Sequence, residues 1–229
     1  MKIIIFGMGN FGSALAVQLS EMGHEIIAID YDMHKVEQIK EKVTHTICLD
    51  STNLMAIKSL PLSDTDIAIV AIGENEGASI MTTANLKTMN VKRIISRSIS
   101  STQETVLEAM GVNEIVQPEQ DSAERLAKKL NLKLAVESFD LDQDYSIVEL
   151  NIPKNFVGKT LSELNLRKEY GVNIVTIIRK KEKKNLLGVQ RVTYVSEGVV
   201  GPGTTLQEED LLVVFGSNDN IMRFCNSDN

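Results

Sequence analysis

The chain has 229 residues, a formal net charge of −7 and an isoelectric point of about 5.1. The 31 acidic side chains against 24 Lys and Arg argue against a nucleic-acid binder, which carries a basic stripe. No apolar run approaches the roughly 20 residues that span a bilayer, and the N-terminus lacks a secretory signal pattern, so a soluble, cytoplasmic chain of one large or two small domains is expected.

Residues 3–6, Ile3-Ile4-Ile5-Phe6, are the short all-apolar run of a strand buried on both faces of a parallel sheet. They lead into Gly7-Met8-Gly9-Asn10-Phe11-Gly12, a G-x-G-x-x-G turn, and an amphipathic run up to Gly23. In that arrangement Gly7 permits the tight turn, Gly9 lets a pyrophosphate approach bare backbone, and Gly12 lets the helix pack closely on the strand. The unpaired N–H groups and dipole of the helix start favour an anion. Residues 26–30 form the second strand, and Asp30 ends it, placed to accept hydrogen bonds from ribose hydroxyls. The combination points to nucleotide binding; the carboxylate would repel a 2′-phosphate and so disfavours NADP.

A polar helix follows over 33–42, then a strand over 45–50 ending on Asp50-Ser51-Thr52, a short helix over 54–60 and a connection over 61–65. Residues 67–72 are the most apolar strand and end on Gly73-Glu74-Asn75. A helix over 78–89, a strand over 93–97, a helix over 102–110 and a short strand over 114–116, ending on Gln117-Pro118-Glu119, complete the alternation. Six strands alternating with helices make a Rossmann-like doubly wound parallel sheet of the α/β class. In such sheets ligands bind outside the C-terminal strand ends, where the strand order reverses, so Asp30, the Asp50 and Gly73 turns, Arg97 and Glu119 converge by topology.

An amphipathic helix over 121–134, with Ala123, Leu126, Ala127 and Leu130 on one face, carries the chain away, and the acidic segment 137–144 reads as a domain boundary. Beyond it the sequence predicts a strand over 146–152, a turn over 153–158, a helix over 161–170 and a strand over 172–179. A charged hairpin tip over 180–184, a strand over 187–195, a turn over 198–203 and a last strand over 210–216 follow. This is a small α+β domain, so the expected division is 1–134 and 135–229, with dimerisation through the second part. Cys48 and Cys225 lack C-x-x-C spacing and suggest a reducing compartment. His24, His34 and His45 are the only histidines and read as surface or packing residues.

The glycine turn, Asp30, the Val70-to-Asn75 strand end, Ile115-Val116-Gln117-Pro118-Glu119, and Leu164-Asn165-Leu166-Arg167 with Tyr170-Gly171 together resemble the RCK/KTN proteins over nearly the whole chain. These are cytosolic regulatory subunits of bacterial potassium uptake systems of the TrkA and KtrA type. The resemblance implies an RCK N-terminal nucleotide domain and an RCK C-terminal domain, and homodimers assembled into an octameric ring beneath a membrane potassium-translocating subunit of the TrkH/KtrB type. It places the protein peripherally at the inner face of the cell membrane, gating the pore by ligand-driven rearrangement and catalysing nothing.

On the same resemblance, Gly7, Gly9, Asn10, Phe11 and Gly12 cradle the phosphates and Asp30 holds the ribose. Asp50, Ser51, Thr52, Gly73, Glu74 and Asn75 line the adenosine side, and Arg97 approaches the phosphates. Members that read ATP against ADP commonly carry an arginine where this chain has Asn10, which leaves NAD(H) and ATP/ADP both open. Glu119 matches a position that helps bind a divalent cation, and Arg167 with Asn173 matches a pair that binds cyclic di-AMP at a dimer interface. The bland readings are an exposed carboxylate in a Pro-containing turn and an arginine that caps a helix or crosses the dimer surface. The competing functions are an NAD-dependent oxidoreductase with a small second domain, for which Lys159 would have to serve because no histidine follows His45, and an RCK regulator of another cation transporter or antiporter.

Overall fold

The computed structural model describes residues 1–131, 134–184 and 190–226. The chain divides into two units, Met1–Gln120 and Asp121–Asn229, each with its own core.

In the first unit β1 (Lys2–Phe6), α1 (Asn10–Glu21), β2 (Glu25–Asp30), α2 (Met33–Ile39), β3 (His45–Cys48) and α3 (Leu54–Ile57) come first. They are followed by β4 (Ile67–Val70), α4 (Glu76–Thr88), β5 (Ile94–Arg97), α5 (Ser101–Ala109), β6 (Glu114–Val116) and the start of α6 (Pro118–Asn131). Every strand pair is parallel, in the order β3-β2-β1-β4-β5-β6. The period-2 geometry of β1 sends Ile3 and Ile5 into one core cluster and Ile4 and Phe6 into the other, so the run must be apolar throughout. Strand order reverses at β1, which opens a crevice beyond Phe6 between the ends of β2 and β4.

Several boundaries differ from the sequence expectation, among them those of α3 and α6. The third helix closes after one turn at Ile57, and a 3-10 turn, Leu62–Asp64, fills part of the expected connection. Helix α6 begins at Pro118 rather than at 121, because proline's fixed φ and missing N–H suit the first helical position. It buries none of its residues; residues 132–133 of the expected helix lie outside the described set.

The second unit adds β7 (Ala135–Asp140), β8 (Tyr145–Asn151), α7 (Leu161–Leu164), α8 (Leu166–Glu169), β9 (Asn173–Lys184), β10 (Gln190–Ser196), β11 (Leu211–Ser217) and α9 (Asn218–Cys225). Its sheet is antiparallel in the order β10-β9-β11-β8-β7. Alternating burial along β8 and β11 puts Val148, Leu150, Leu212 and Val214 on the core face. Phe156, Tyr170 and Phe224 close that core, with ring centroids 5.4 to 6.1 Å apart.

The acidic segment expected as a boundary is edge strand β7 and its hairpin. Asp142 Oδ1 accepts from the amides of Asp144 and Tyr145 at 2.8 and 2.7 Å, which turns the chain into β8. Lys128 pairs with Asp140 and ties α6 to this strand, so the unit division falls at Gln120 rather than at residue 134. Asn165 adopts the left-handed region at φ 42° and breaks the expected 161–170 helix into α7 and α8.

The expected charged tip at 180–184 continues β9. Arg179 pairs with Asp210, Lys180 with Glu209 and Lys181 with Glu197, so these cations are neutralised by neighbouring segments. The strand expected over 187–195 is β10 from Gln190; residues 187–189 lie outside the described set. Beyond the last expected strand the chain forms helix α9, capped by Ser217 and burying Ile221, Phe224 and Cys225. No helix among the described residues is long and apolar enough to cross a membrane.

Candidate functional site

The crevice beyond β1 is a cleft of about 360 Å³. That lies at the lower end of the roughly 300–1,000 Å³ of small-molecule sites. One wall is the turn into α1. Gly7 sits at φ +96°, a region closed to side-chain-bearing residues, and its amide donates to Ile29 O at 2.7 Å. Gly12 faces away from the cleft, where a Cβ would overlap the carbonyl oxygen of Gly7. Its role is the close packing of α1 on β1. Gly9 has ordinary extended backbone, φ −71° and ψ −171°, and a Cβ there would meet nothing within 4 Å. The fold therefore does not require a glycine at this position, which lines the cleft. Gly9 also gives α1 no side-chain cap, which leaves the helix N-terminus for an external acceptor.

Asp30 closes the opposite side, only 5% exposed. Its Oδ2 accepts the Met8 amide at 2.6 Å and its Oδ1 accepts the Asp32 amide at 2.9 Å. The carboxylate thus pins the glycine turn to the end of β2, and it lines the cleft with acceptor capacity left over. Tyr31 and Lys35 also line the cleft, and neither was singled out by sequence reasoning. They enter because the chain turns from β2 into α2 directly over Asp30, a consequence of the Asp32 cap on His34 N.

The far wall comes from the turn after β4. Gly73, Glu74 and Asn75 line the cleft, and Asn75 Oδ1 also caps α4 at Ala78 N, 2.9 Å. Arg97 reaches over from β5. A Cβ on Gly73 would overlap its guanidinium in this position and would displace the end of the Arg97 side chain. Arg97 stacks over the Phe11 ring at 5.8 Å, donates to Ala71 O at 3.4 Å and pairs with Glu119. Its buried Nε has no hydrogen-bond partner among the described residues.

Of the three residues ending β3, only Ser51 lines the cleft, its hydroxyl 2.7 Å from that of Thr82. Asp50 and Thr52 do not. Asp50 Oδ1 accepts the Thr52 amide at 2.9 Å and its hydroxyl at 2.7 Å, a closed local turn. The Thr52 hydrogen bonds, side chain before backbone, hold the Asp50 carboxyl below the usual range. Asn85 Nδ2 donates to the carbonyls of Ser51 and Thr52 at 3.1 and 3.0 Å and fixes this turn against α4.

The cleft thus presents the uncapped N-terminus of α1 on one side and the buried Asp30 carboxylate on the other, on a doubly wound sheet followed by a small antiparallel unit. The TrkA-N domain family matches residues 3–118 and the TrkA-C domain family residues 146–228. The chain belongs to the TrkA-N/TrkA-C family. It is 36% identical over 225 residues to Ktr system potassium uptake protein C of Bacillus subtilis, covering 97% of this chain and 95% of that one. It is 31% identical to Ktr system potassium uptake protein A of the same organism, covering 98% and 96%. Among solved structures, the GsuK channel bound to NAD superposes with a TM-score of 0.62 at 17% identity, covering 97% of this chain. This chain spans 38% of that one, and the likeness is one of RCK fold.

Three further positions carried over from the TrkA family stand as follows. Glu119 lines the cleft beside Arg97, and among the described residues no group of three or more His, Cys, Asp or Glu side chains surrounds it. Arg167 lies exposed on α8 and Asn173 exposed at the first position of β9, both in the second unit.

Proposed function

We propose that the protein is the cytosolic, nucleotide-binding regulatory subunit of a bacterial potassium uptake system, acting without bond chemistry. The observation that carries this reading is the pairing of Gly9, bare without structural need, with the buried Asp30 carboxylate across one cleft. The membership of a family whose relatives of nearly equal length are Ktr potassium uptake proteins supplies the context. The cleft takes an adenine nucleotide with a free 2′-hydroxyl: NAD(H), or ATP/ADP. Asn10 is neutral and Arg97 is already paired with Glu119, so a short or internally linked phosphate chain fits the local charge better than a free triphosphate.

The occupied cleft acts on a membrane potassium-translocating subunit of the TrkH/KtrB type, through homodimers assembled into an octameric ring. Phe139, Tyr145 and Val175, left exposed on the antiparallel unit, support pairing of copies there. Glu119 as a divalent-cation ligand and Arg167 with Asn173 as a cyclic di-AMP contact belong to the same reading.

The test is potassium-limited growth of an uptake-deficient bacterium supplied with a TrkH/KtrB-type membrane subunit and this chain. Wild type is expected to restore growth, and Gly9→Val to fail while accumulating as folded protein. Equal rescue by both, or none by wild type with its cognate membrane subunit, contradicts the reading.

A further inference from the structure

Lys35 and Arg97 are the cations lining the cleft, and each stands against an acid. Lys35, in the first turn of α2, places its Nζ 3.6 Å from Glu74 Oε1, which projects from the turn after β4. Because β2 and β4 flank β1, this pair spans the cleft mouth from one side of the reversal point to the other. The side chains differ in setting: Lys35 is 25% exposed and Glu74 81%. A pair so open to solvent is weak and exchangeable.

Asp30, Tyr31 and Lys35 come from one strand-to-helix turn, so a phosphate on the 2′-oxygen of a ribose held at Asp30 enters within reach of the flexible Lys35 ammonium. On its own that cation would offset the repulsion from Asp30. Glu74 reduces the offset by competing for Lys35 and adds a second carboxylate to the same rim.

We propose that Glu74, by competing for Lys35, strengthens the preference that Asp30 gives this cleft for adenosine ligands with an unmodified 2′-hydroxyl. This specificity role rests on the nucleotide reading above. Glu74 is a positioning residue here, and its removal converts Lys35 into a 2′-phosphate ligand.

Calorimetric titration of the full-length protein with two matched pairs, NADH against NADPH and ADP against 2′-phospho-ADP, tests it. Glu74→Gln is expected to raise the relative affinity for the 2′-phosphorylated member by roughly three- to fivefold at low salt. The readout is the ratio of affinities within each pair, in which any loss common to both members cancels, and the gain in that ratio should shrink as ionic strength rises. In Glu74→Gln/Lys35→Met the gain should vanish. An equal gain for both members of a pair, no gain, or a gain that survives removal of Lys35 overturns the proposal while leaving the nucleotide site standing. Failure of wild type to bind any of the four ligands removes the nucleotide reading and this inference with it.

Discussion

Glycines at positions 9 and 12 look equivalent in the motif and do opposite work. A side chain at Gly9 enters open space in the cleft, whereas one at Gly12 strikes the Gly7 carbonyl. Gly9→Val is therefore expected to abolish nucleotide binding with a melting temperature close to wild type, and Gly12→Ala to destabilise the fold by about 1–3 kcal/mol. Thermal melts beside ligand titrations separate the two. Asp30→Ala combines both effects: it removes the ribose acceptor and leaves the Met8 and Asp32 amides without their partner. A loss of binding together with about 1–3 kcal/mol in urea unfolding is expected. The glycine turn and the place of Asp30 at a strand end were legible because a buried strand that runs straight into a packed helix needs glycine at 7 and 12. Asp50 and Thr52 were wrongly drawn into the cleft lining, since the turn they close on each other depends on side-chain direction. Lys35 and Tyr31 escaped notice because a polar first turn of a helix gives no sign that it overhangs a strand end.

Short apolar runs such as 3–6 and 67–70 announced the parallel strands, since burial on both faces leaves no other composition. Elements at the margins of the second unit were not legible. An edge strand tolerates charge, so Glu137-Ser138-Phe139-Asp140 reads as a linker. Helix α9 opens on Asn218-Asp219-Asn220, which reads as a turn until Ile221, Phe224 and Cys225 are seen to face the core. Burial there pushes the Cys225 thiol up to about 11, while Cys48 is exposed. With Ellman's reagent at pH 8, Cys48 should react at once and Cys225 only after unfolding. Because the folded value is raised above the ordinary thiol value of about 8.5, this group's contribution to stability is complete below that pH and is lost as pH rises toward 11. Urea midpoints of wild type and Cys225→Ala, compared at pH 7.5 and 10, read that loss as a narrowing difference. On β9, Arg179 donates to both oxygens of Asp210, which is 2% exposed. Arg179→Ala leaves that carboxylate buried without its cation and is expected to cost about 3 kcal/mol in urea unfolding.

At the scale of the molecule, the order of a doubly wound unit and a small antiparallel unit was readable because each has its own periodicity, and the TrkA-N and TrkA-C matches follow in that order. Where one unit ends was less readable, since the first unit ends at Gln120, within α6, and that helix buries no apolar face to mark the change. A regulatory role depends first on whether the cleft takes an adenine nucleotide through its bare backbone. Isothermal titration of NADH, ADP and ATP into wild-type protein and Gly9→Val, both verified as folded by circular dichroism, measures this directly. Saturable one-site binding of at least one of them to wild type and none to the variant is the expected result. Equal affinity in both proteins, or no binding to either, would contradict the account.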